Sequence, residues 1–484
     1  MPIKHSRKFI VLIITATILC MSFSFALDNV GISPRRLAIY VEHRAAGHNP
    51  VIEDIGAWLG NLLRAQDRIN IHPLDLSTLD VGAQNETLLQ KTTPLGRIIT
   101  VSSAADAIKA IEHARPGDII TFLPGTYRFS GGRHIHAENA GAPDHRIIVR
   151  AKQPGTAHIE MDLLEGFLVT APYWTFENLS IRGICRYHSK CEHAFHIVGR
   201  ANHFTARNNT ITDFNAHFKI NGKDNYFPDY GVIENNTLSN SVSRKTGNPV
   251  TPIDIDAASH WVIRHNMITD FIKSGGNRIS YGAYAKGAGE DNLFEQNIII
   301  CENHIRYVHG QRIGISLGGG GTGRKFCRDR RCKTEQKSSA IESNLIVSCS
   351  NDGIYINRSV NSIIRHNTLI DTGPITVRFP ESTASIKENI VDSSIESRNG
   401  GILHASNNRQ TSMTYLYLGL HPVRRLFTDV KTFDFTWVSA PPRSKTDSLD
   451  IPDLCSGERP SKPIYGAFED FSKCKLLPNP GRNG

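Results

Sequence analysis

Several features are missing from this 484-residue chain, and each absence removes a class of protein. After residue 26 no apolar run is long enough to cross a bilayer, which excludes a protein with several membrane-spanning helices. No Cys-x-x-Cys occurs, so a zinc ribbon or a thioredoxin-type redox motif is not encoded. The one glycine-rich run continues as Gly323-Arg324-Lys325 rather than Gly-Lys-Ser/Thr, and is therefore no phosphate-binding loop. Charge of one sign is not in large excess: 55 Lys and Arg stand against 46 Asp and Glu, which is no nucleic-acid footprint. With 39% hydrophobic residues, wholesale disorder is excluded as well.

What is present begins with Lys4, Arg7 and Lys8, then the apolar run Phe9–Cys20, then Ser24-Phe25-Ala26 as a small-x-small exit. This is the pattern of a signal peptide over residues 1–26, and it predicts a secreted or periplasmic protein that is free of the membrane once cleaved. An uncleaved anchor is the alternative. Removing the three positive charges lowers the formal net charge from +9 to about +6, a mild bias that suits an acidic polymer. Eight cysteines remain: Cys185, Cys191, Cys301, Cys327, Cys332, Cys349, Cys455 and Cys474. An even number fits an oxidising compartment. Cys185 with Cys191 and Cys327 with Cys332 can each close a short loop, and Cys455 with Cys474 can pin the tail, although eight cysteines allow 105 connectivities.

The informative feature is a recurring phrase: an apolar residue, a polar pair, Asn, then β-favouring residues. It places Asn209, Asn236, Asn266, Asn297, Asn344, Asn367 and Asn389 at spacings of 27, 30, 31, 47, 23 and 22 residues. A constant phrase at variable spacing means that one turn is kept while insertions fall in loops. The flanking segments alternate at period two, against a helical repeat. Coils of about 22 residues with an Asn at one corner predict an all-β fold, a right-handed parallel β-helix, in which Asn amides stack from coil to coil and satisfy the turn backbone. Ala107, Ile108 and Ile111 then form a short helix over the open first coil, and Pro116-Gly117-Asp118 and Pro124-Gly125 turn the chain into it. Val51, Ile55, Trp58, Leu59 and Leu62 share one face of a helix over residues 50–66, expected to pack near that end. The predicted organisation is a capping region over residues 27–95, a solenoid over 96–404 and a tail over 405–484.

The helix-PGD-strand-PGTY opening, the Asn coils and the closing GAFE resemble the secreted right-handed β-helix proteins of the polysaccharide-lyase type, chondroitinase B and the alginate lyases among them. The resemblance covers roughly residues 96–400 and the last GAFE. It implies an enzyme cleaving an acidic polysaccharide, with calcium as a possible cofactor. It puts a catalytic lysine at Lys286. The family's two calcium-binding glutamates fall at Ile279 and Tyr281, which offer no such ligand, and its catalytic arginine falls near Gly318, so Arg312 is the candidate replacement.

Reading outward residues strand by strand gives a column: His196, Lys219, Asp254 and Asp256, Tyr284 and Lys286, Arg312 and Ser316, Tyr355 and Asn357, then Arg378. Tyr281 is read as inward. The mixture of cations, carboxylates and tyrosines predicts a groove for a short oligosaccharide. β-Elimination at a uronic acid needs its carboxylate neutralised, a base at C5 and an acid at the C4 oxygen. Lys286, Tyr284, His196 and Arg312 are the candidate catalytic residues, with Lys219, Asp254, Asp256, Ser316, Tyr355, Asn357 and Arg378 binding substrate. Asp254 and Asp256 can instead ligate a metal, run glycoside hydrolysis or pair with Lys219 and Lys286. Arg324, Arg328 and Arg330 lie in a basic loop that can overhang the groove. A hydrolase, a C5-epimerase and a non-catalytic carbohydrate-binding protein are the alternatives. A monomer is expected.

Overall fold

The computed structural model describes residues 3–69, 72–84, 96–132, 134–306, 308–319, 321–444, 451–455 and 457–475. Short strands, three to a coil, assemble among these residues into three long parallel sheets of 12, 10 and 11 strands. Successive strands of each sheet come from successive coils: Thr205–Arg207 pairs in register with Val232–Glu234, which pairs with Val262–Arg264, and so on. The chain is a parallel β-helix.

The corner turn explains the repeat. The residue before each of the seven asparagines adopts a left-handed backbone, φ 52–59° from Asn208 to Glu388. The Asn then reaches along the solenoid. The Asn266 Nδ2 donates to the Ile233 and Arg264 carbonyls at 2.8 and 2.9 Å and to Asn297 Oδ1 at 3.0 Å, while its own Oδ1 accepts the Asn236 backbone N–H at 3.0 Å. Each amide thus satisfies backbone groups that the coil would otherwise bury unpaired. The ladder starts at Leu179, whose N–H donates to Asn209 Oδ1 where FENLSI has no matching Asn, and it ends on Asn408, an eighth member.

Inside, side chains stack at the same level from coil to coil. Phe167, Phe195 and Phe218 form a pile with centroids 5.2 Å apart. Ile253, Ala283, Ile315, Ile354 and Ile375 continue it in register. Helix α4 (Ala104–Glu112) closes the first coil with Ala107 and Ile111 fully buried, as an exposed core and unpaired strand edges require.

The three outer faces differ. On the 12-stranded sheet, Arg150 and Arg207 pair with Glu177, Arg264 with Glu234 and Arg365 with Glu342, a ladder of alternating charge. On the 11-stranded sheet, Met267, Ile298, Ile300, Leu345 and Val347 are covered by Leu74, Leu79, Val81 and the aromatic residues of the tail, Phe427, Phe435, Phe468 and Phe471. The GAFE segment is tied down there, the Gly466 N–H donating to Glu388 O and the Ala467 N–H to Thr368 Oγ1. The 10-stranded sheet is left.

The N-terminal helices depart from expectation. Helices α2 (Pro34–Ala45) and α3 (Pro50–Asp67) lie against the later coils, not the first. The reason is polar. Arg35, fully buried, donates to the Cys349 and Asp371 carbonyls and pairs with Asp371 and Asp67, and burial raises the penalty for leaving any of these partners unpaired. Arg36 pairs with Asp352 and Glu396 and donates to Thr376 Oγ1. Helix α5 (Met413–Tyr417) packs beside them. The apolar stripe of α3 faces away from the solenoid.

Replacing the central Asn266 with Ala should cost about 2–4 kcal/mol in urea unfolding, because several buried backbone groups lose their partners at once. Asn408→Ala, at the open end, should cost less than about 1 kcal/mol. Equal costs would remove the ladder as the stabilising element.

Candidate active site

The outer face of the 10-stranded sheet carries chemistry in rows. His196, Lys219, Asp254, Tyr284, Ser316 and Tyr355 are mutually in register across six strands. Asn221, Asp256 and Lys286 form a second row beside them, and Asn357 and Arg378 a third pair. Lys286, Asp256 and Tyr355 therefore lie on one side of the molecule. Each row exists because a parallel coil returns every strand to the same level about 4.8 Å further on.

Lys219 is the hub. Its Nζ lies 2.8 Å from Asp254 Oδ1 and 2.6 Å from Asp256 Oδ2. Burial pulls this ammonium down, but the two carboxylates outweigh burial and hold it above the ordinary lysine range. Lys286 Nζ is 3.6 Å from Asp256 Oδ1 and sits over the Tyr284 ring, 4.7 Å from its centroid. Burial, then Asp254 and Asp256, push the Tyr284 hydroxyl well up. The donor set does not fit calcium: a hard cation asks for six to eight oxygens, whereas Asp254 and Asp256 are both occupied by the Lys219 ammonium.

Upstream of Lys219 lies a histidine cluster that sequence reading found only in part. Glu165 stands between His134, 3.4 Å away, and His196, 3.2 Å away, and His196 Nε2 is 2.7 Å from Asn221 Oδ1. His136 packs on His134 and His193 on His196. The bond to His196 holds the Glu165 carboxyl down to about 2, and burial pushes His193 down to about 3. His134, His136 and Glu165 precede the first Asn phrase, so no repeat signalled their level. His193 was legible as a neighbour of His196, three residues away on the same strand.

Other assignments need correction. Arg312 is 2% exposed, donates to the Val308 and Gly310 carbonyls and faces Glu302 at 3.5 Å, so it is a structural residue and not a groove cation. The cause is a slip in the alternation. A Cβ on Gly282 would meet Phe271 and Ile299, and one on Gly314 would meet Ile346, so each glycine faces the core like the residue after it. Residues before these glycines are therefore out of phase, and Tyr281, read as inward, joins Tyr284 outside with ring centroids 5.4 Å apart. Ser316 is buried and donates to the Tyr355 and Gly318 carbonyls. Tyr284, 5% exposed, lies beneath the groove surface, which removes it as a free acid. Asn357 is buried with its Nδ2 on the Tyr355 hydroxyl, which also accepts from Arg378.

The basic loop stands at the rim. Cys327–Cys332 closes it, and Arg328 anchors it through two 2.8 Å bonds to Asp229. Its start, Gly318-Gly319, passes Lys286: a Cβ on Gly319 would lie 3.6 Å from Lys286 Cδ. Arg324, Arg331 and Lys333 line a cavity with Arg358, and Arg330, also at that cavity, bonds to Asn225. The other disulfides are Cys185–Cys191, Cys301–Cys349 and Cys455–Cys474.

No protein-family model and no curated protein sequence matches this chain. Solved structures do. Pectate lyase Pel9A superposes with a TM-score of 0.52 at 14% identity, covering 77% of this chain and 96% of that one. A rhamnogalacturonan lyase gives 0.43 at 13% identity over 65% and 87%, and an alginate lyase from Paenibacillus sp. str. FPU-7 gives 0.32 at 14% over 65% and 98%. At such identities the likeness is one of fold: the chain carries a lyase-like parallel β-helix.

The depressed Glu165 carboxyl has a consequence for stability. Its contribution is complete above the unfolded carboxyl value of about 4.3 and is lost as pH falls through about 2. Glu165→Gln should therefore lower stability near neutrality by on the order of 1 kcal/mol, allowing for solvent screening, with the gap closing between pH 4 and 2. Urea unfolding across that range checks it; a gap independent of pH would contradict the pairing.

Proposed function

We propose that the protein is an extracytoplasmic polysaccharide lyase that cleaves an acidic, uronate-containing polysaccharide by β-elimination along the 10-stranded sheet. The observation that carries this reading is the contrast among the three faces. One is a ladder of alternating charge and one is covered by the tail, while the third presents His196, Lys219, Lys286 and Arg378 on adjoining rows of one face beside a cationic loop. The apolar N-terminal helix and the four disulfides favour export.

In this reading Lys286, in its free-amine form, removes the C5 proton of a bound uronate. The C4–O bond breaks as the C4–C5 double bond forms, and the ammonium just generated returns the proton to the departing oxygen. One group serves as base and then acid. Lys219, held charged between Asp254 and Asp256, fixes the Asp256 carboxylate beside Lys286. His196 and Arg378 extend the row on either side as hydrogen-bond donors to the carboxylates of neighbouring sugars, and Arg324 continues it onto the loop. Glu165 and Tyr284 are positioning residues for His196 and for Lys286 respectively. Hydrolysis by Asp254 and Asp256 is disfavoured, because the ammonium between them leaves neither carboxyl free to protonate a leaving group.

The test is incubation of the purified protein with alginate, pectate and glycosaminoglycans while following the ultraviolet absorbance of unsaturated uronate and, in parallel, reducing ends. The expected result is chromophore and reducing ends in step on one of these polymers. Reducing ends alone would mean hydrolysis, and neither would mean a binding protein; both outcomes overturn the reading. Lys286→Ala should lower turnover by about 10²–10⁴-fold with unfolding nearly unchanged, and Lys286→Arg, which keeps the charge, should not rescue it.

A further inference from the structure

Helix α3 is amphipathic in sequence and inverted in the fold. Its small side meets α2: a Cβ on Gly56 would collide with Ala45, and one on Gly60 with Glu42. Its large apolar residues Val51, Ile55, Trp58 and Leu62 face outward, Trp58 63% exposed. The surface does not stop there. Gly419 lies beside the Gln66 carbonyl at the end of α3, and the adjoining Leu418 and Leu420 are exposed. On the other side of α5, the Tyr417 hydroxyl donates to the Ile32 carbonyl at 3.0 Å and the Met413 N–H to Asp28 Oδ1 at 3.1 Å. These bonds bring in the end of α1 (Ile3–Val30), with Phe25 and Val30 exposed. Exposed apolar residues thus lie on three helices in contact, α1, α5 and α3. Monomers in water rarely expose a group of apolar residues of this kind without using it.

We propose that this surface rests on a lipid bilayer, with α3 lying in the interface and Trp58 at headgroup level. Continuity with α1 selects this occupant. The stretch Ile13–Val30 is apolar enough to cross a membrane, is wholly unburied, and is the one such span among the described residues. A tryptophan on the outward side of an amphipathic helix is the usual interfacial anchor. The proposal reverses the expectation of a chain free of the membrane after export, and takes α1 as an anchor that is kept. Through Arg36, α2 also lies on the later strands of the groove sheet, so docking would hold the groove close to the membrane surface. None of this depends on the lyase reading.

Trp58 supplies the test. Trp174 and Trp261 are fully buried and Trp437 is partly covered, and α1 contains no tryptophan. The protein recovered from exporting cells is mixed with vesicles of phosphatidylethanolamine and phosphatidylglycerol whose acyl chains are brominated. Expected are quenching and a blue shift of tryptophan emission that are both absent in Trp58→Phe, and loss of both in Ile55→Glu/Leu62→Glu. The Trp58→Phe comparison decides the matter even if the double variant folds poorly. Unquenched Trp58 in the wild type overturns the proposal, as does a concentration-dependent dimer that shields Trp58 in vesicle-free buffer and so shows the face to be a self-interface.

Discussion

The asparagine amide at the corner is what the rest of the molecule depends on. A coil that turns tightly enough to repeat every few ångströms must bury the polar backbone of its own turn. The left-handed residue before each Asn makes the turn, and the amide of the Asn bonds both its own coil and the next, as Asn266 does with Arg264, Ile233 and Asn297. Because the bonding reaches to the neighbouring coil, the ladder also sets register. Once register is set, Phe195 must lie under Phe218, and His196 must lie beside Lys219. Core and groove are two consequences of one constraint.

The groove illustrates how a repetitive scaffold yields a non-repetitive surface. All three sheets share the same spacing, yet one outer face became a charge ladder and another the floor beneath the aromatic tail. The third is organised around an ammonium between two carboxylates, and that charge arrangement excludes the calcium cage that a pair of aspartates in sequence can suggest. It also separates the residues that reach the surface, Lys286 and His196, from those that hold them there, Tyr284 and Glu165.

The same logic accounts for the N-terminal helices. A buried arginine such as Arg35 needs several partners, and the later coils offer carbonyls and Asp371 where the first coil is closed by α4. Polar demand therefore overrode apolar patterning in deciding where α2 and α3 sit, and the stripe on α3 was left for another medium.

From the chain alone, the solenoid, its lid helix and the column from His196 to Tyr355 were legible, because local hydrogen-bond chemistry at Asn209 through Asn389 repeats visibly and period-two alternation follows from strand geometry. Alternation was also where reading failed: at Gly282 and Gly314 a missing side chain lets the strand shift phase, which turned Arg312 inward and Tyr281 outward. His134 and Glu165 precede the repeats and had no phrase to give their level. The position of α2 and α3, the loop over Lys286 and the state of Asp254 and Asp256 rest on partners far away along the chain, among them Asp371 for Arg35, Asp229 for Arg328 and Lys219 for both aspartates. Local pattern determines which element forms and which way it alternates; only closure of the tertiary structure decides which charges meet, since that depends on distances the linear order does not contain.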